Sequence, residues 1–142
     1  MSEGRALRSL DWRAIRAGGE VALVFAVPFS FAARWFADNG SSSGLPTLLS
    51  LLALVGFVLG AGIAAWVQQQ GLPLMHALIT ALSTYIIAQA VFVTIRLLLG
   101  RDVHWFATFF NLTAVAIAGL IGGYLGSAMR KRGITPKSMD RP

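Results

Sequence analysis

Four polar side chains, Glu20, His76, Gln89 and Asn111, interrupt long apolar runs in this sequence. An ionisable group at the centre of a membrane span costs about 2.5–3.5 kcal/mol, so each such residue needs a function or a partner. Lined up across neighbouring helices, the four would form a polar path or binding site for a proton, a cation or a small solute. Each also has a plainer reading. Glu20 follows Arg16 by four residues, the spacing of an ion pair on one helix face. His76 is either a pH-responsive group or a hydrogen-bonded imidazole at a helix end. Glu20 and His76 fall at similar depth, which makes a pair between them an expectation. Gln89 falls near mid-span and is expected to hydrogen-bond a neighbour, with Asn111 as the candidate. Both amides would serve equally well as glue between helices. Arg34 and Arg96 fall within about a turn of a span's end, where long side chains snorkel to the headgroups.

Other chemistries are missing. His76 and His104 are the only histidines and there is no cysteine. That removes disulfides, thiol nucleophiles and Cys-based metal sets. The two histidines belong to opposite membrane faces and cannot share a metal. There is no Gly-rich loop of the Walker type, no Gly-x-Ser-x-Gly and no Cys-x-x-Cys. The sequence predicts no enzyme, no cofactor and no metal.

The elements that must position these residues follow from composition. Of 142 residues, 56% are apolar and 13% charged. Mean hydropathy is +0.67. An ordinary soluble domain holds about 45–50% apolar and about 25% charged residues. A chain this small has too little interior to hide the excess. Lipid is the implied solvent, and lipid admits only helices or closed barrels. Four stretches reach the roughly 20 residues a spanning helix needs, over about 17–36, 46–67, 74–99 and 104–129. They are too long for barrel strands. The predicted fold is all-α, a single integral membrane four-helix bundle. A signal peptide cut near Ser30-Phe31-Ala32 is the competing reading of the first stretch. Glu20, and apolar character that continues to Phe36, favour a retained span.

The links, at about 38–44, 68–71 and 100–102, are short and polar. Short links make successive helices antiparallel. Nine of the 12 Lys and Arg residues lie in the two flanks, 1–16 and 130–142, and three on the other side. This asymmetry predicts cytoplasmic N- and C-termini in the plasma membrane. Trp12 and Trp66 then fall at inner ends, and Trp35 and Trp105 at outer ends, as an aromatic belt. The net charge of +6 sits beside helices, so the partner expected for the basic tails is anionic lipid rather than nucleic acid.

Two small-residue patterns predict close helix packing. The second helix carries Gly56, Gly60 and Ala64 four apart, and the fourth carries Ala118, Gly122 and Gly126, with Gly119 and Gly123 beside them. Such stripes serve either the bundle's interior or a homodimer through the fourth helix. Pro28 is expected to kink the first helix. In the third, Tyr85, Gln89 and Arg96 share one face, while His76, Thr80, Ser83 and Thr94 share the opposite one. A helix polar on two faces should touch several neighbours. An offset of 62 residues pairs Gly60 with Gly122, Gly71 with Gly133 and Arg34 with Arg96, the pattern of a duplicated hairpin.

Residues 66–85 read WVQQQGLPLMHALITALSTY and follow GFVLGAGIAA. With Asp11-Trp12-Arg13, Gly18, Pro28 and the 119–126 stretch, this resembles a group of small four-span integral membrane proteins of Gram-positive, especially actinobacterial, bacteria. The most specific part is Pro73-Leu74-x-His76, where the group's pattern continues with Gly and this chain has Ala77. The resemblance covers most of the chain and implies a fold and a location. It implies no reaction, so no functional residue is carried over. Glu20 is also similar in place to the first-helix Glu of small multidrug carriers, but the rest of that pattern is absent. Two functions are expected. The first is a non-enzymatic structural or accessory subunit of a membrane assembly, partnered by another membrane protein. The second is a small transporter or channel, acting alone or paired with a copy of itself, using Glu20, His76, Gln89 and Asn111.

Overall fold

The computed structural model describes residues 10–40 and 44–137, and these form an all-helical bundle. Arg5, Arg8 and Arg141 of the basic flanks, and Ser41, Ser42 and Ser43 of the first link, lie outside the described residues. The helices are α1 (Trp12–Asp38), α2 (Gly44–Val67), α3 (Pro73–Leu98) and α4 (Trp105–Lys131). All four are long and apolar enough to cross a membrane.

Helix α1 begins at Trp12 rather than near residue 17 because Asp11 caps it. The Asp11 carboxylate accepts the N–H groups of Arg13 (3.1 Å) and Ala14 (3.3 Å). That extra turn and a half is amphipathic and carries the exposed Arg16–Glu20 ion pair. The other boundaries fall within two residues of those expected. Pro28 sits inside α1, which stays helical through to Asp38. Its missing N–H leaves the Val24 carbonyl without its helical donor.

The interior is built of small residues. Ala14, Ala22, Ala61, Ala64, Ala65, Ala77 and Ala81 are buried, while large side chains such as Val24, Phe31 and Phe110 face outward. Phe106 is 85% exposed. Lipid tails are as apolar as a leucine, so helices gain by bringing small faces together and leave bulk to the bilayer.

Successive helices are antiparallel, as the contacts show. Gly18 of α1 lies against the Gly60 carbonyl of α2, and one turn or more along each helix Gly56 lies beside Phe25. The start of α1, the 68–72 link and the end of α4 therefore share one end of the bundle, called the terminal end below. The 39–43 and 99–104 links lie at the other, the loop end. Trp12 and Trp66 belong to the terminal end, Trp35 and Trp105 to the loop end.

Around the bundle the order is α1–α2–α4–α3. Helices α2 and α3 also touch across one diagonal, while α1 and α4 make no contact across the other. Helix α3 thus touches all three neighbours. The tightest approaches, however, converge on α2, the most apolar helix. Gly122 lies against the Val58 carbonyl and Gly126 against that of Gly62. Gly119 and Gly123 face Ala81 and Ala77 of α3. All four glycines of α4 are thus covered within one chain. Gly18 and Gly62, on no stripe singled out from sequence, complete these crossings.

Candidate functional site: a two-arginine cavity

The four polar residues singled out from sequence do not form one path. At the terminal end, Glu20 is exposed and bound to Arg16 at 2.9 Å. His76 is fully buried. Its Nε2 accepts the Asp11 backbone N–H at 2.8 Å, and its Nδ1 lies 2.7 Å from the Leu72 carbonyl. A carbonyl only accepts, so Nδ1 carries the proton and the ring is the neutral Nδ1–H tautomer. Both nitrogens are committed to backbone. The expected Glu20–His76 pair is absent because each already has a partner, and Glu20 points away from the bundle.

A second lock closes the same end. Gln68, buried at the end of α2, accepts the N–H groups of Gln70 (2.8 Å) and Leu72 (3.3 Å) through its side-chain oxygen. Its carbonyl accepts from the Arg130 guanidinium of α4. The Trp66 indole donates to the Ile134 carbonyl at 2.7 Å, tying the chain after α4 to the end of α2. Gly71 and Gly133, paired by the 62-residue offset, both turn the chain with φ near +73° and +79°. Such left-handed backbone suits glycine.

At the loop end the helices part. A cavity of about 400 Å³ lies between all four. Its polar lining comes from Ser30 and Arg34 of α1, Ser50 of α2, Tyr85 and Gln89 of α3, and Asn111 of α4. Its floor is apolar, with Ala53, Leu54, Phe57 and Val115. A second space of about 160 Å³ adjoins it and adds Arg96 and His104. Arg34, Gln89, Phe92 and Asn111 line both.

Gln89 and Asn111 share this wall but make no hydrogen bond to each other. The expected bond is replaced by two amides that face open space. Arg34 and Arg96 do not snorkel away from the bundle; each is half-buried and lines a cavity. The Arg34 guanidinium stacks over the Phe92 ring, 5.2 Å from its centroid, a cation–π arrangement. Arg96 Nε is buried and has no hydrogen-bond partner. Both cations line the smaller space. Neither forms an ion pair among the described residues, and no Asp or Glu lines either space. Asp38 stands one turn beyond Arg34 on α1 and lines neither space. Tyr85 is held by its hydroxyl donating to the Thr108 carbonyl at 2.8 Å, and its ring meets Phe57 edge-on.

Sequence reasoning singled out Gln89 and Asn111 and assigned the two arginines to the headgroups. Two signals pointed to them. Arg96 shares a helical face with Tyr85 and Gln89, and the 62-residue offset pairs it with Arg34. Among the described residues, no three His, Cys, Asp or Glu side chains gather as metal ligands. The chemistry on offer is the capture of an anion. Comparison with protein-family models, with curated proteins and with solved structures found no match to this chain.

Proposed function

We propose that this chain is a non-enzymatic, multi-pass plasma-membrane protein that serves as a binding or accessory subunit of a larger membrane assembly, with the two-arginine cavity as its working site. The excess of Lys and Arg in the flanks supports cytoplasmic termini. The cavity then opens toward the outer face, and the basic flanks meet anionic lipid on the inner one.

One observation carries the reading: the two halves of the bundle differ in kind. The terminal half is shut in its interior by backbone-to-backbone glycine crossings and by the His76 and Gln68 locks, and the outer groove of about 380 Å³ between the start of α1 and the 67–70 link sets Asp11 beside Arg13. The loop half holds open space with two cations that no acidic side chain lining it offsets. A bundle of this shape holds a ligand at one face and offers no continuous path. The test is native mass spectrometry of the affinity-tagged protein, extracted from its own membrane in mild detergent. A reproducible heteromeric mass supports the accessory role. A homo-oligomer carrying lipid alone counts against it.

A second reading, a small carrier, is favoured by Gln89 and Asn111, whose amides face the cavity without partners. A carrier must also part the glycine crossings to reach the other side. Flux of a small anion into proteoliposomes, lost in Gln89→Leu, would support that reading over the first.

A further inference from the structure

We infer that the ligand of this cavity is a phosphate-type oxyanion, carried on a lipid headgroup or free in solution. The inference rests on the reading of the cavity as the working site and adds the chemical class of what enters it. The first argument is charge. Arg34 and Arg96 bring two positive charges into the smaller space of about 160 Å³, which no acidic side chain lines and which shares Arg34, Gln89 and Asn111 with the larger cavity. Guanidinium groups stay charged in proteins, so proton loss cannot relieve them. An entering anion can. A phosphate monoester carries about −1.5 to −2 charges at neutral pH and so matches the pair.

Geometry separates phosphate from simpler anions. Each guanidinium presents a planar fork of N–H donors. A carboxylate has two oxygens and is satisfied by one fork. A phosphate has enough oxygens to meet both forks at once, with acceptors left for the Gln89 and Asn111 amides. Arg96 Nε is buried and without a partner, so an entering oxygen that met it would relieve an unsatisfied donor. The amides of Gln89 and Asn111 are likewise uncommitted among the described residues. Below them the Ala53, Leu54, Phe57 and Val115 floor is apolar. It accepts the carbon side of a phosphate ester, while a free phosphate would be held by the polar wall alone. The cavity reaches the bundle surface, where Ser50 of α2 and Asn111 of α4 are exposed while lining it. Both the bilayer and the outer solution are therefore sources.

The test uses the full-length protein in phosphatidylcholine nanodiscs, with helical content checked by circular dichroism. Three probes are compared: inorganic phosphate, phosphatidic acid (a lipid phosphate monoester) added to the disc, and decanoate as a carboxylate control. The variants are Arg34→Gln/Arg96→Gln, Arg34→Lys/Arg96→Lys, and Arg13→Gln/Arg16→Gln at the terminal end. Thermal midpoints and lipids retained in native mass spectra are the readouts. The inference expects phosphate or phosphatidic acid to bind the wild type and the Arg13/Arg16 variant alike. It expects roughly tenfold weaker binding in the double Gln variant, with partial recovery in the double Lys variant. A response to phosphatidic acid alone names a lipid headgroup, and a response to inorganic phosphate names the free ion. Decanoate binding without phosphate binding overturns the phosphate class but leaves the cavity as a ligand site. No Arg-dependent binding of any probe overturns both. If the double Gln variant fails to fold, Gln89→Leu/Asn111→Leu replaces it, with the same expected loss.

Discussion

His76 and Asp11 are joined by a hydrogen bond that spans 65 residues of chain, from the imidazole Nε2 of α3 to the backbone N–H that precedes α1. The bond does two jobs. It satisfies a part-buried N–H at a helix start, and it fixes the angle at which the chain enters the bundle. Asp11 meanwhile caps the same helix with its side chain. One residue thus receives the third helix and starts the first.

Replacing His76 with Leu keeps the volume and removes the acceptor. The Leu72 carbonyl keeps its backbone bond from the residue 76 N–H, so the stranded group is the Asp11 N–H. Leaving such a donor unpaired costs about 1–3 kcal/mol. His76→Leu should lower the thermal midpoint in detergent while leaving anion binding at the loop end intact. Loss of that binding with no change in midpoint would return His76 to the functional site.

The glycine crossings predict a graded series. A methyl group at Gly18 would meet the Gly60 carbonyl oxygen, and one at Gly122 the Val58 carbonyl oxygen. Backbone cannot step aside as a side chain can. Gly18→Ala and Gly122→Ala should each destabilise by about 1–3 kcal/mol through overpacking. Gly62→Ala, with its nearest atom at 3.2 Å, should fall between. Gly44→Ala meets nothing within 4 Å and should be neutral or gain up to about 1 kcal/mol in helix propensity. Equal midpoints across the four variants would mean that the helices do not cross this closely.

The four helices were legible because apolar length is a property of the sequence alone. The start of α1 was not. Asp11 and Trp12 look like a polar flank until the cap bonds are seen. The small-residue stripes of α2 and α4 marked faces but not their partners, because a stripe fits a second copy as well as a neighbour. Which face meets which depends on the diagonal contact between α2 and α3, and no local pattern encodes it. At the loop end, Arg34 and Arg96 were misplaced for a physical reason. Snorkelling is the default for an arginine near a span's end, and only an open space between helices gives the side chain an inward alternative.

Thr80 presents the opposite case to His76. It is fully buried where α3 meets Gly18 of α1, and its Oγ1 has no hydrogen-bond partner. A buried unpaired hydroxyl carries a desolvation cost of about 1–3 kcal/mol. Valine has nearly the same shape and no such group. Thr80→Val should therefore raise the thermal midpoint, and a clear fall would mean that the hydroxyl bonds something the packed helices conceal.

Because the chain has no cysteine, any introduced thiol reports its own position. Ser50→Cys and Asn111→Cys place thiols at the mouth of the cavity, where both native residues are exposed. Lys137→Cys places one at the terminal end, and Thr80→Cys one in the sealed half. With a membrane-impermeant maleimide on intact cells, the first two should label at once. Lys137→Cys should label only after permeabilisation, and Thr80→Cys should resist until the protein is unfolded. Inorganic phosphate or an anionic lipid seated between Arg34 and Arg96 should slow labelling at Asn111→Cys. Labelling of Lys137→Cys in intact cells would invert the proposed topology and place the cavity on the cytoplasmic side.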